Sequence, residues 1–167
     1  MIEIFTDGSC RGNPGPGGFG LAMFRGNSLL LSVSHTSEST TNNRMELSAI
    51  LLALAYINSK EIEEEFIIYS DSAYCVNMIN NWIYKWSKNG WITSKKMPVE
   101  NLDLVKKIYK ELLILKNTKV EKVKGHNGEC KNEYVDALAS QNKSKAEKML
   151  KYFNLQNYDP MINALDK

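Results

Sequence analysis

The sequence predicts a single α/β domain: a mixed five-stranded sheet, three antiparallel strands and then two parallel ones, with helices flanking it. Its first third holds three runs that alternate in the manner of strands, with Gly/Pro-rich and Gly-Asn turn signals between them. Each later strand-like run follows a helical stretch, and a strand that returns to its sheet after a helix lies parallel to an earlier one. The 167 residues are 43% hydrophobic and 24% charged, enough for one core without disulfides or structural zinc.

The strands of the meander are expected at Met1 to Thr6, Phe19 to Phe24 and Leu29 to His35. Thr40 Thr41 Asn42 Asn43 offers helix caps, and Leu47, Ile50, Leu51, Leu54 and Ile57 recur at helical spacing, so a helix is expected from 43 to 58. Phe66 to Ser70 reads as a short buried strand. Residues 72 to 88 read as helix, Gly90 and Pro98 interrupt the pattern, and Leu102 to Leu115 is amphipathic. Lys119 to Lys124 forms the last strand, and one helix is expected from Asn132 to about Phe153. The tail, Asn154 to Lys167, shows no clear period.

The three cysteines are odd in number, far apart and without a CxxC pair, which argues against a disulfide framework and against zinc. Met1 leads directly into Ile2 Glu3 Ile4 Phe5 rather than a signal-peptide pattern, and the longest apolar-rich stretch, Leu47 to Ile57, is too short for a bilayer. The expected protein is cytoplasmic and has no membrane partner. Its net charge of +2 hides a segregation: residues 61 to 81 carry five acids and no base, whereas 82 to 98 carry Lys85, Lys88, Lys95 and Lys96 and no acid.

Two strands lead into a carboxylate, Phe5 Thr6 Asp7 and Tyr69 Ser70 Asp71. If those strands are parallel neighbours, the two acids share a sheet edge, where a divalent cation would relieve their repulsion. Asp is also favoured at turns and caps, and Glu46 and Asp136 sit near expected helix starts, where carboxylates are stabilised anyway. These residues alone leave both readings open.

Taken together, Phe5 Thr6 Asp7 Gly8 Ser9 Cys10, the run Gly12 Asn13 Pro14 Gly15 Pro16 Gly17 Gly18, Thr41 Asn42 Asn43 Arg44 Met45 Glu46, Ser70 Asp71 Ser72, Val123 Lys124 Gly125 His126 and Asn132 to Asp136 resemble type 1 ribonuclease H in its bacterial ribonuclease HI form. With the first two segments taken as one, five motifs occur in family order over about residues 1 to 141. The resemblance implies a ribonuclease H-like fold, with 1–141 as the catalytic domain. Residues 142–167 are then a C-terminal extension, a helical continuation and an irregular tail packed on the same domain.

The resemblance further implies an endonuclease, expected as a monomer, that hydrolyses the RNA strand of RNA–DNA hybrids and leaves 5′-phosphate and 3′-hydroxyl ends. Asp7, Glu46, Asp71 and Asp136 would hold two Mg²⁺, with Mn²⁺ as a possible substitute, and His126 would handle protons or product release. The family's hybrid-binding positions fall on Cys10, Gly12, Asn13, Asn42 and Asn43 for the minor groove and on Thr41 with Asn101 for a DNA phosphate. Tyr74, Trp82, Lys85, Trp86, Lys88, Trp91, Ser94, Lys95 and Lys96 fall on a basic protrusion and the DNA-strand channel. Ser87, Asn89, Ile92 and Glu100 stand where other members often carry basic or polar residues.

Overall fold

The computed structural model describes residues 1–61, 63–123 and 129–159. Strands β1 (Ile2–Cys10), β2 (Gly15–Arg25) and β3 (Ser28–Thr40) form the antiparallel meander; helix α1 (Asn42–Ser59) leads to β4 (Phe66–Ser70), and β5 is Thr118–Lys122. The sheet order is β3-β2-β1-β4-β5, with β4 parallel to both β1 and β5. The expected sheet is therefore the observed one.

Alternation along β1 and β2 divides the core between the two faces. Ile2, Ile4, Leu21 and Met23 meet Leu47, Ile50 and Leu54 of α1 on one side, while Phe5, Ala22 and Phe24 meet Tyr134 and Val135 on the other. The meander strands run longer than the sequence reading expects, because pairing continues through the Gly-rich segment, as in Ser9 with Gly18 and Cys10 with Gly17. Asp7 consequently lies inside β1 rather than at its end.

Residues 72 to 88 do not form one regular helix. They divide into α2 (Ala73–Asn77), a π-helical turn (Met78–Trp82) and α3 (Ile83–Lys88). The wider i→i+5 turn makes Ile83, rather than Trp82, the next core-facing position after Ile79; Ile83 is buried and Trp82 is 36% exposed. Helix α4 (Leu102–Ile114) then packs on α1.

The single helix expected from Asn132 to about Phe153 is also divided. Helix α5 (Cys130–Ala139) stops at Ser140, and Gln141 adopts a left-handed φ of 63°. The Asn142 side chain then accepts a hydrogen bond from the Lys145 amide at 3.1 Å and starts α6 (Lys143–Met149). Ala146, Met149 and Phe153 bring this segment back onto the Phe5/Phe24 side of the core. Beyond it, the chain runs beside β3: Leu29 donates to the Asn154 carbonyl at 3.0 Å, and the Asp159 amide donates to Leu30 at 2.9 Å.

Helix α5 approaches β2 at backbone distance. A Cβ on Gly20 would sit 2.7 Å from the Leu138 Cβ and 2.7 Å from the Val135 carbonyl oxygen. Gly20 pairs directly with Asp7 across the ladder, so this contact brings α5 over the Asp7 row. Gly20→Ala is expected to destabilise the protein by roughly 1–3 kcal/mol through overpacking, read as a lower thermal midpoint. An unchanged midpoint would show that α5 can lift away freely.

Candidate active site

Sheet order alone sets two of the acids side by side. The parallel β1–β4 register pairs Phe5 with Tyr69, and two residues further along each chain stand Asp7 and Asp71. The Thr6 hydroxyl donates to the Tyr69 carbonyl at 2.8 Å where the ladder ends. Ser72 caps α2 by accepting from the Cys75 amide at 3.2 Å, leaving Asp71 exposed between two serines engaged in the turn.

Glu46 arrives through a second close approach. A Cβ on Gly8 would stand 2.4 Å from the Glu46 nitrogen and 2.7 Å from the Met45 carbonyl carbon. Glycine at position 8 thus permits α1 to cross β1 against its backbone. Carboxylate oxygens of Asp7, Glu46 and Asp71 all lie within 4.8 Å of one another. Asp136, on the exposed side of α5, stands close enough to Asp7 for its carboxyl to help raise the Asp7 pKa, though it is not part of the 4.8 Å cluster. The structure therefore gathers all four expected acids, with Asp136 in the second half of α5 because that helix begins at Cys130.

Asp7 and Glu46 are 5% and 3% exposed. Burial, followed by the facing carboxylates, pushes both pKa values well above the ordinary range. Against this, the Gly8 amide donates to Asp7 Oδ1 at 2.9 Å, while Glu46 Oε2 is buried with no partner among the described residues. A cluster of oxygen donors with an orphaned buried oxygen suits a hard divalent cation.

The surface beside the acids is held together by side-chain ties. The half-buried Cys10 thiol is engaged by the main chain, with Sγ 2.7 Å from the Gly12 carbonyl oxygen and 3.3 Å from that of Thr40. Asn13 Oδ1 accepts from the Asn42 amide at 3.1 Å, placing Gly12 and Asn13 against the start of α1 with Asn42 and Asn43. Thr41 caps α1 by accepting from the Arg44 amide at 3.2 Å.

Arg44 is the residue that sequence reasoning missed. Its guanidinium donates to Asn101 Oδ1 at 3.3 Å and, in a bidentate pair, to Asp103 at 3.0 and 2.8 Å. It thereby joins Thr41 to Asn101, a residue with φ of 55° at the start of α4. No local pattern announces a pairing across 59 positions.

The protrusion divides by exposure. Tyr74 and Trp82 are exposed, with ring centroids 5.7 Å apart, and Lys85, Lys88, Ser94, Lys95 and Lys96 all face solvent. Trp86 is instead 9% exposed and belongs to the core. Trp91 packs edge-on to Tyr109 at 5.5 Å with the Lys106 ammonium over its ring at 5.9 Å. His126 lies outside the described residues.

A family model described as RNase H matches residues 1–144. A ribonuclease H of Chlorobium chlorochromatii is 46% identical over 140 residues, covering 83% of this chain and 92% of its own. A ribonuclease H of Escherichia coli O127:H6 is 45% identical over 140 residues, covering 83% and 86%. Among solved structures, LC9-RNase H1, described as a type 1 RNase H with the type 2 active-site motif, has a TM-score of 0.69 at 28% identity, covering 89% of this chain and 72% of its own.

The raised carboxyl values have a definite sign. A buried acid whose folded pKa is raised leaves stability intact below its ordinary value of about 4, and stability falls as pH rises above it because the unfolded chain ionises first. In EDTA, the thermal midpoint should therefore fall between pH 5 and pH 8. Asp7→Asn, which keeps an acceptor for the Gly8 amide, should raise the midpoint at pH 8 by roughly 2–4 °C for each kcal/mol of relieved repulsion. A lower midpoint for Asp7→Asn at pH 8 would contradict this account.

Proposed function

The chain belongs to the ribonuclease H family, and on that premise we propose that it hydrolyses the RNA strand of RNA–DNA hybrids endonucleolytically, leaving 5′-phosphate and 3′-hydroxyl ends. The observation that carries this reading is the convergence of Asp7, Glu46 and Asp71 within 4.8 Å beside a surface of main-chain and amide groups. The unpartnered Glu46 oxygen supports a cation there.

Asp7, Glu46, Asp71 and Asp136 would hold two Mg²⁺, and Mn²⁺ could substitute because it too accepts carboxylate oxygen. When bound, the pair supplies a water of lowered pKa and neutralises charge on the departing 3′ oxygen. Burial of Asp7 and Glu46 fixes two carboxylates on the sheet and on α1, whereas the exposed Asp71 and Asp136 leave the outer side open to the phosphodiester. His126 would take up or return a proton, or aid product release.

Substrate choice rests on the 2′-hydroxyl, both donor and acceptor. The main chain around Cys10 to Asn13 and the amides of Asn13, Asn42 and Asn43 would read it. Thr41 and Asn101 would hold a DNA phosphate, steadied by Arg44. Tyr74, Trp82, Ser94 and the four protrusion lysines would follow the DNA backbone, where contacts set position rather than sequence. Trp86 and Trp91 would support that surface from beneath, given their packing. Residues 1–141 form the catalytic unit and 142–167 its extension, in a protein acting as a cytoplasmic monomer.

A cleavage panel of hybrid, double-stranded RNA, double-stranded DNA and single-stranded RNA tests this directly. With Mg²⁺, only the RNA strand of the hybrid should be cut, EDTA should abolish cutting, and Asp71→Asn should slow it by more than about 100-fold. Equal cutting of all four substrates, or undiminished activity of Asp71→Asn, would refute the assignment.

A further inference from the structure

The C-terminal extension, from residue 142 onward, carries an arrangement that the proposed site does not use. Lys143, Lys145, Lys148 and Lys151 are exposed, and none forms an ion pair among the described residues. Lys143 lines the cavity on the β3 side of α6, whereas the other three share the opposite side. Lys145, Lys148 and Lys151 line a groove of about 420 Å³ together with Asn142, Ser144 and Tyr152, and no carboxylate lines it. Glu147, the one acid of α6, lines a different cavity, across the helix against β3.

The chemistry of this groove is that of donors to phosphate and sugar oxygens: ammonium groups, an amide and hydroxyls. Tyr152 is 51% exposed, with the Lys151 ammonium 5.2 Å from its ring centroid, so an aromatic face borders the cations. Along the chain, Asn142 follows Gln141, which lines a separate groove of about 570 Å³ with Arg11 and Ser9, the latter two residues from Asp7; Glu38 is the carboxylate on that lining. Helix α5, which carries Asp136, ends at Ala139, three residues before Asn142.

We propose that the α6 groove is an accessory nucleic-acid contact, in which Lys145, Lys148 and Lys151 grip the phosphate backbone of a hybrid flanking the cleavage site. This rests on the hybrid-cleaving reading above and adds a second basic surface to the Lys85–Lys96 protrusion. Charge complementarity selects the occupant: the groove is wholly cationic along its charged lining, and the substrate class is a polyanion.

The test compares the full-length chain with Lys145→Gln/Lys148→Gln/Lys151→Gln and with a charge-matched control, Lys110→Gln/Lys116→Gln/Lys119→Gln. The control lysines are exposed at or near the end of the sheet where Ile2, Phe66 and Thr118 align, opposite the carboxylate edge. Binding of a labelled hybrid of about 24 base pairs is followed by fluorescence anisotropy in EDTA over a range of salt.

The α6 variant should bind about tenfold more weakly near 0.1 M salt, and its log–log salt slope should be shallower by about 2–3. The control should change affinity less than about twofold, and the triple Lys→Arg variant at the α6 positions should restore native affinity. In Mg²⁺, the α6 variant should show a raised KM with kcat unchanged. Equal effects of the two Gln triples, or none from the α6 triple, would overturn the inference while hybrid cleavage by the native chain still upheld the proposed function. A native chain that neither bound nor cut hybrid would overturn both.

Discussion

Two backbone-to-backbone contacts, at Gly8 and Gly20, hold the rest of this structure in place. Gly8 lets α1 settle on one face of the sheet and Gly20 lets α5 settle on the other, Gly20 paired with Asp7 and Gly8 next to Asp7 in β1. A methyl group at either position would overlap main-chain atoms, so neither helix could keep its present height above the sheet. Parallel pairing of β1 with β4 then supplies Asp71 from the same edge. Four acids scattered over 130 positions thereby meet through sheet order and helix height, with little dependence on loops.

Such an arrangement opposes folding. Placing Asp7 and Glu46 where they are 5% and 3% exposed leaves like charges facing one another in poorly hydrated surroundings, and the Gly8 amide offsets only part of the cost. The large apolar layers on both faces, Ile50 and Leu54 on one and Phe24 and Val135 on the other, maintain the geometry against that repulsion. The site is a strained region on a well-packed scaffold, a pattern consistent with a cluster built to receive cations.

Much of this was legible in the sequence. Strand alternation and the helix-then-strand order fixed the sheet, and the carboxylates stood out once their flanking residues were read together. What escaped was either a subtle change of helical phase or a pairing distant in sequence. Trp82 and Trp86 look interchangeable in a periodic reading, but the π-helical turn at Met78–Trp82 exposes the first while the second stays in the core. The division of the last helix turns on one left-handed residue, Gln141, at a position where nothing local requires it. Arg44 could be found only with Asp103 and Asn101 already in space. Gly8 was visible in the motif, but its role depends on a helix that begins 34 residues later.

The course of the chain after Phe153 bears on the solution behaviour of the whole sheet. β3 is a terminal strand, and its unpaired main-chain groups would otherwise invite strands from neighbouring molecules. Hydrogen bonds from Leu29 to Asn154 and from Asp159 to Leu30 cover the first part of that border with the protein's own backbone. At the opposite border, β5 spans five residues and exposes Lys119, Glu121 and Lys122, charges that discourage stacking. The molecule thus carries its own protection against edge-to-edge aggregation, and shortening the C-terminus would affect colloidal stability even with every carboxylate left in place.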